Sequence, residues 1–273
     1  MPVEDAVALL GRVFNLCRSA QTLAARLAFG LPVAPSAPEA LAREILRDNV
    51  AKVCLKWPVA LGMAGLSLTS DWQKSPQAVR IAVFGASGRL PRTLGALQTW
   101  MDEGRGASGV LQAIQNTFEP GEACTARLSL VDANSVFDMS PQENSVAARH
   151  AHIQLMREVE TSFGRGPFWR AVAVMSDIES CLEGKLPRPE TMPTGKVVVP
   201  AARGLYAIEA QTEDGIVTDF RRVTPTDHLL CRNGVLDQVL GSTCRSAIDP
   251  IASFLIDILD PCIPVTLKEA HHA

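Results

Sequence analysis

The sequence predicts an α+β fold, with a mainly helical core followed in the C-terminal third by a small antiparallel sheet. Two observations carry this. Apolar residues recur at three- and four-residue spacing from the first residues to a helical block ending near residue 184. Extended, valine-rich runs begin only at Lys196, and two of the later runs flank an Asp-Gly pair, which is a hairpin signal.

Taken in order, residues 3 to 29 read as one helix on Val7, Leu10, Val13, Phe14, Cys17 and Ala20. Gly30 and the segment Pro32 to Pro38 end it. A second helix starts near Glu39, runs through Leu41, Ile45, Leu46 and Val50, and is broken or kinked by Pro58. Arg80 to Phe84 reads as a short strand, with a buried helical turn as the alternative. Thr93 to Trp100 and Val110 to Phe118 read as short helices, and Ala123 to Val131 alternates weakly as a strand would. The block 143 to 184 is helical with an interruption at Gly164-Arg165-Gly166-Pro167, and Leu186 to Gly195 is a connector. Lys196 to Pro200 is a strand, and Leu205 to Ala210 faces Ile216 to Phe220 across Glu213-Asp214-Gly215. Asp249-Pro250 reads as an N-cap with proline in the first turn, opening a helix over Ile251 to Leu259 that stops at Asp260-Pro261. No repeat divides the chain, so residues 1–273 are expected to form a single domain.

Composition narrows the function. The chain has 273 residues and a net charge of −3, and only 5% of its residues are aromatic. Neither a basic field nor a base-stacking surface is therefore expected, and nucleic acid is excluded as a partner. The most apolar stretch, Val59 to Leu68, is about half of the roughly 20 residues that a membrane span needs, and Met1-Pro2-Val3-Glu4-Asp5 lacks the basic start of a secretory signal. A cytoplasmic protein without a membrane partner is expected. Seven cysteines lie at 17, 54, 124, 181, 231, 244 and 262, an odd number with no Cys-x-x-Cys. That spread suits neither a disulfide framework nor a self-contained zinc module.

Several motifs favour plain readings. Ile81-Ala82-Val83-Phe84-Gly85-Ala86-Ser87-Gly88 imitates a dinucleotide-binding turn, but Pro91 stands where the third glycine belongs, so an ordinary turn is expected. His150-Ala151-His152 falls on different helix faces and reads as a solvated pair. His228 reads as a loop residue, and His271-His272 as terminal residues able to bind metal only opportunistically. Most of the cysteines read as small buried hydrophobes. Cys17 and Cys262 stand apart, the second because it follows a proline-terminated helix beside an acid.

Around those two cysteines the sequence resembles the large subunit of nickel–iron hydrogenases. That family carries Arg-x-Cys-Gly-x-Cys-x-x-x-His near its N-terminus and Asp-Pro-Cys-x-x-Cys-x-x-His near its C-terminus. Here Arg12 and Cys17 match the first motif, with Phe14, Asn15 and Gln21 replacing its first cysteine, glycine and histidine. Asp260-Pro261-Cys262 match the second, with Val265 and Lys268 replacing its last cysteine and histidine. Ala202-Arg203-Gly204-Leu205 resembles the family's Ala-Pro-Arg-Gly-Leu. Asp214-Gly215-Ile216 and Val223-Thr224-Pro225-Thr226 follow in the order of two further family segments, although His228 and Leu229 replace a Trp-Asn. The likeness covers roughly residues 10 to 60 and 195 to 268.

The resemblance implies the fold of a trimmed large subunit and a site assembled from the two ends of the chain. Four cysteines hold nickel and an iron carrying cyanide and carbon monoxide in that family, so one cysteine per motif implies no nickel. Two thiolates suit an iron fragment that brings its own strong ligands, Fe(CN)2(CO). In this the chain is similar to the HupK/HoxV-type hydrogenase maturation proteins. The resemblance implies a non-catalytic carrier that takes the fragment from HypC/HypD-type donors and passes it to the hydrogenase large subunit. It gives Cys17 and Cys262 as metal ligands, Arg203 and Thr226 as hydrogen-bond donors to the two cyanides, and Asp260 as a partner of Arg203. Cys17 aligns with a bridging cysteine and Cys262 with one that binds nickel alone. The chain ends soon after its second motif, so no extension for a maturation protease is expected. Two alternatives stay open: a metal-free chaperone or decoy that mimics the large subunit, and an enzyme that uses the Gly85 turn for a nucleotide.

Overall fold

The computed structural model describes residues 1–13, 16–244 and 248–265, without the side chains of residues 248–250. Phe14, Asn15, Lys268 and His271-His272 lie outside the described residues, and so does the Asp249 side chain read as a cap.

The first predicted helix is two helices, α1 (Val3–Val13) and α2 (Arg18–Ala28). The break falls at Cys17, which heads α2 with φ 54, a left-handed conformation that non-glycine residues rarely adopt. Helix α3 (Ala37–Ala51), with Pro38 in its first turn, runs through a π-helical turn (Lys52–Lys56) into α4 (Trp57–Ala60). Pro58 therefore widens the helix rather than breaking it. Proline has no N–H for the carbonyl of Cys54, and that oxygen takes the Leu66 N–H at 2.7 Å instead.

Arg80 to Phe84 is not a strand but the end of α5 (Pro76–Phe84). Ser75 accepts the Ala78 N–H and Pro76 follows it, a start signal that outweighs the β-branched run. The glycine turn after α5 serves packing. Gly106 lies against it so closely that a Cβ there would come within 2.6 Å of the Val83 carbonyl. Helices α6 (Leu94–Asp102) and α7 (Ser108–Thr117) are as predicted within two residues at each end. Of the weak strand at Ala123 to Val131 only β1 (Ser129–Leu130) forms, pairing in parallel with β2 (Gln142–Glu143).

The block from 143 to 184 contains α8 (Val146–His150), α9 (Gln154–Phe163) and α10 (Pro167–Leu182). Every residue of α10 from Pro167 to Glu179 is buried, as expected of a helix surrounded on all sides. It packs against α3, α7, α8, α9 and the last helix, α13 (Ile248–Leu259).

The sheet is antiparallel in the order β3 (Glu190–Thr191), β4 (Lys196–Ala201), β5 (Gly204–Glu213), β6 (Ile216–Val223). The predicted hairpin forms, and its turn is only Asp214 (φ 49) and Gly215 (φ 74), because Glu213 still pairs with Ile216. The three consecutive valines of β4 are buried on both faces. Val197 and Val199 meet α1, α2 and α3, while Val198 packs with Val131, Val136 and Phe137 on the other side. Two short helices, α11 (Pro225–Leu230) and α12 (Val235–Gly241), precede α13. The chain is thus α+β, with a helical core around α10 and a small antiparallel sheet in its C-terminal part. No helix among the described residues is long and apolar enough to cross a membrane.

Candidate functional site

The site is organised by the tight turn between β4 and β5, in which Ala201 pairs with Gly204 and Arg203 projects between them. Gly204 has φ 149, and a Cβ there would lie 2.5 Å from Asn144 Oδ1, so the close approach of Asn144 requires glycine. Neighbouring side chains hold the turn from several directions. Arg149 Nη2 donates to the carbonyls of Ala201 (2.7 Å) and Gly204 (3.0 Å), and Lys52 Nζ donates to that of Ala202 (3.3 Å). Asn144 accepts the Leu205 N–H at 2.7 Å and donates to the Leu205 carbonyl at 3.0 Å.

Held in this way, Arg203 links the two cysteine segments. Its Nη1 donates to Cys17 Sγ at 3.3 Å and its Nε to the Asp260 carbonyl at 3.0 Å, and its guanidinium also pairs with the Asp260 carboxylate. Lys52 Nζ lies 2.7 Å from Asp260 Oδ2. Burial works against the guanidinium charge, but Asp260 and Cys17 outweigh it, so the Arg203 pKa is raised above its ordinary value. Burial likewise pushes the Cys17 thiol up, against the pull of Arg203.

Both cysteine segments carry a left-handed residue, Cys17 itself (φ 54) and Asp260 (φ 50), and such strain collects where surrounding contacts over-determine the backbone. Glu44 fixes the first segment by accepting the N–H groups of Ser19 (2.7 Å) and Ala20 (3.3 Å) at the start of α2. Thr226, in the first turn of α11, fixes the second by accepting the Cys262 N–H at 2.9 Å.

Cys17, Cys262 and Arg203 line one cavity of about 220 Å³, together with Gln21, Tyr206 and Arg222. Thr226 and Asp260 do not line it. They face a smaller space of about 20 Å³ that shares Arg203 with the first. The sequence-derived residues are therefore brought together in two tiers, three around the cavity and two behind them. Among the described residues, no group of three or more His, Cys, Asp or Glu side chains gathers as a metal site.

No family model matches the chain. It is 43% identical over 272 residues to the hydrogenase expression/formation protein HupK of Rhodobacter capsulatus, a match covering 100% of this chain and 88% of that protein. The chain belongs to the HupK family.

In this HupK-family chain the polar groups behind the cavity were not legible as a set. Lys52 meets Asn49 three residues back, but the contacts of Asn49 and Arg149 with Asp177 form only through the tertiary fold. Asn49 Nδ2 donates to Asp177 Oδ2 at 2.8 Å, and Arg149 Nη1 donates to both Asp177 oxygens at 2.7 and 2.9 Å. His150 corrects an expectation. It is buried at the end of α8, with Nε2 2.8 Å from Asp177 Oδ1, whereas His152 is exposed because it lies in the turn that follows the helix. His228 corrects another, being buried within α11 rather than in a loop. Its Nδ1 accepts from Asn144 Nδ2 at 3.2 Å, an assignment that places the proton on Nε2, 3.0 Å from the Asp138 carbonyl. Burial lowers its pKa. Of the remaining cysteines, Cys54 is buried, Cys124, Cys181 and Cys231 are half-buried and Cys244 is exposed.

Proposed function

We propose that the protein serves hydrogenase formation as a non-catalytic scaffold: it holds the Fe(CN)2(CO) fragment through the thiolates of Cys17 and Cys262 and passes it to the hydrogenase large subunit. The supporting observation is that two cysteines from opposite ends of the chain line one cavity, with a buried guanidinium on Cys17. The relative's printed role, hydrogenase expression/formation, agrees with the reading.

The donor set fits this cargo. Thiolates are soft ligands suited to low-spin iron. Two of them would not complete a metal's coordination by themselves, which suits a metal that arrives with strong ligands of its own, and they offer nickel no four-sulfur cage. Arg203, charged and fixed on three sides, can donate to an anionic cyanide. The Thr226 oxygen accepts the Cys262 N–H and keeps its own O–H to donate. Asp260 keeps the Arg203 charge in place. Iron would take the place of the Cys17 proton, since the thiolate is the ligand. In this reading HypC/HypD-type proteins supply the fragment in the cytoplasm.

The test is infrared spectroscopy of anaerobically purified protein co-produced with the iron-assembly machinery. Cyanide and carbonyl bands are expected for the wild type and not for Cys17→Ala or Cys262→Ala. Spectra equally blank in all three proteins would sink the carrier reading.

A further inference from the structure

We infer that the mouth of the Cys17/Cys262 cavity is a docking surface for an acidic, apolar-tipped segment of the protein that delivers the iron fragment. The inference deepens the carrier reading and rests on it for the nature of the cargo.

The mouth is apolar where soluble surfaces usually are not. Val13, Leu16 and Ile263 line the cavity, yet they are 57%, 44% and 50% exposed. Leu9, one turn before Val13 on α1, is 41% exposed and extends the patch along the helix. Large apolar side chains gathered around a single opening mark an interaction surface, whereas isolated ones do not.

Charge defines the occupant. No carboxylate is among the described residues that line the cavity, whereas Arg203 and Arg222 are. Arg203 is offset by Asp260 and by Asp48, 3.7 Å away. Exposed Arg12 and Arg18 flank the lining residues Val13 and Cys17 in sequence. The carboxylates near Cys17 are engaged, Glu44 by the Ser19 and Ala20 N–H groups and Asp48 by Arg203 and Arg47. The exposed charge next to the mouth among the described residues is therefore basic. An anionic cyanide complex enters through this opening, and the segment that carries it must sit on the rim. Acidic side chains on that segment would meet Arg12 and Arg18 and steer its approach, while apolar ones cover Val13, Leu16 and Ile263.

The test places a photo-crosslinking phenylalanine analogue at Val13, Leu16 or Ile263 of the full chain, with Ile81 on α5 and Leu130 on β1 as exposed controls. The host cells make the hydrogenase and its iron-fragment donors. Crosslinks to the donor are expected from the mouth and not from the controls. With purified donor, Arg12→Glu/Arg18→Glu should weaken binding by about tenfold at low salt while thermal unfolding is unchanged. Mouth crosslinks only to a second copy or only to the large subunit, or equal donor binding by the charge variant, would overturn the inference. Mouth crosslinks to the donor without infrared bands would sink the carrier reading and leave docking intact; bands without such crosslinks would do the reverse.

Discussion

Two polar centres lie on either side of the β4–β5 turn, and they are finished to different degrees. At the inner one, the Asp177 carboxylate is fully buried and both of its oxygens are engaged, by Arg149, His150 and Asn49. Despite its burial, Arg149 and His150 hold its pKa down to about 2. At the outer one, Cys17 Sγ has the Arg203 contact, and Cys262 Sγ has no hydrogen bond among the described residues. The two are joined by Asn49 and Lys52 and by the turn that Arg149 and Lys52 both grip. A centre whose valences are filled positions backbone; one with valences in reserve, beside a cavity, can take a ligand.

The sharpest way to break this comparison is at Asp177. Replacing it with alanine strands Arg149 as an uncompensated buried cation, and a loss of about 3–5 kcal/mol is expected in urea denaturation. Asp177→Asn should fall between that variant and the wild type. The pH dependence has a definite sign. With its folded pKa depressed from 3.8 to about 2, Asp177 contributes its full stability above about pH 4 and loses it as pH falls through about 2. The acid limb of the stability curve should flatten in Asp177→Asn. An unchanged limb would mean that the inner centre does not hold the fold.

Gly204→Ala tests the hinge between the centres. Its Cβ would lie 2.5 Å from Asn144 Oδ1 and 2.7 Å from the Asn144 carbonyl, at a φ of 149. A loss of about 3 kcal/mol is expected from strain and displaced Asn144 contacts. Denaturant midpoints measure it, and a change within about 0.5 kcal/mol, typical of a neutral surface site, would mean the turn is not tightly held.

How far the sequence discloses these centres follows from the same difference. Cys17, Arg203, Thr226, Asp260 and Cys262 are legible because each sits in a short motif whose neighbours identify it. Lys52, Arg149 and Asp177 are not, because a charge on a helix reads as solvated until its partner is known, and Lys52 meets Asp260 across most of the chain. The sheet is legible from its valines and its Asp-Gly turn. The α1–α2 break is not, since apolar spacing runs unbroken through Cys17 while the Glu44 contacts that stabilise a new helix start there are long-range. Arg80 to Phe84 shows the limit of short apolar runs, where periodicity does not separate strand from helix.

The smallest expected effects concern the cysteines, and they sharpen the distinction between packing and ligand readiness. Cys54 is fully buried, and burial alone pushes its pKa up to about 12, so it behaves as a small hydrophobe. A serine in its place buries a hydroxyl, and a loss of about 2 kcal/mol is expected unless the hydroxyl finds a carbonyl. Cys262→Ser, at the rim of a cavity, should change stability by no more than about 0.5 kcal/mol, since only its backbone N–H is engaged. Parallel denaturation curves of the two variants decide the matter. If Cys262→Ser proved the more damaging, its sulfur would be part of the packing, and the outer centre would be as finished as the inner one.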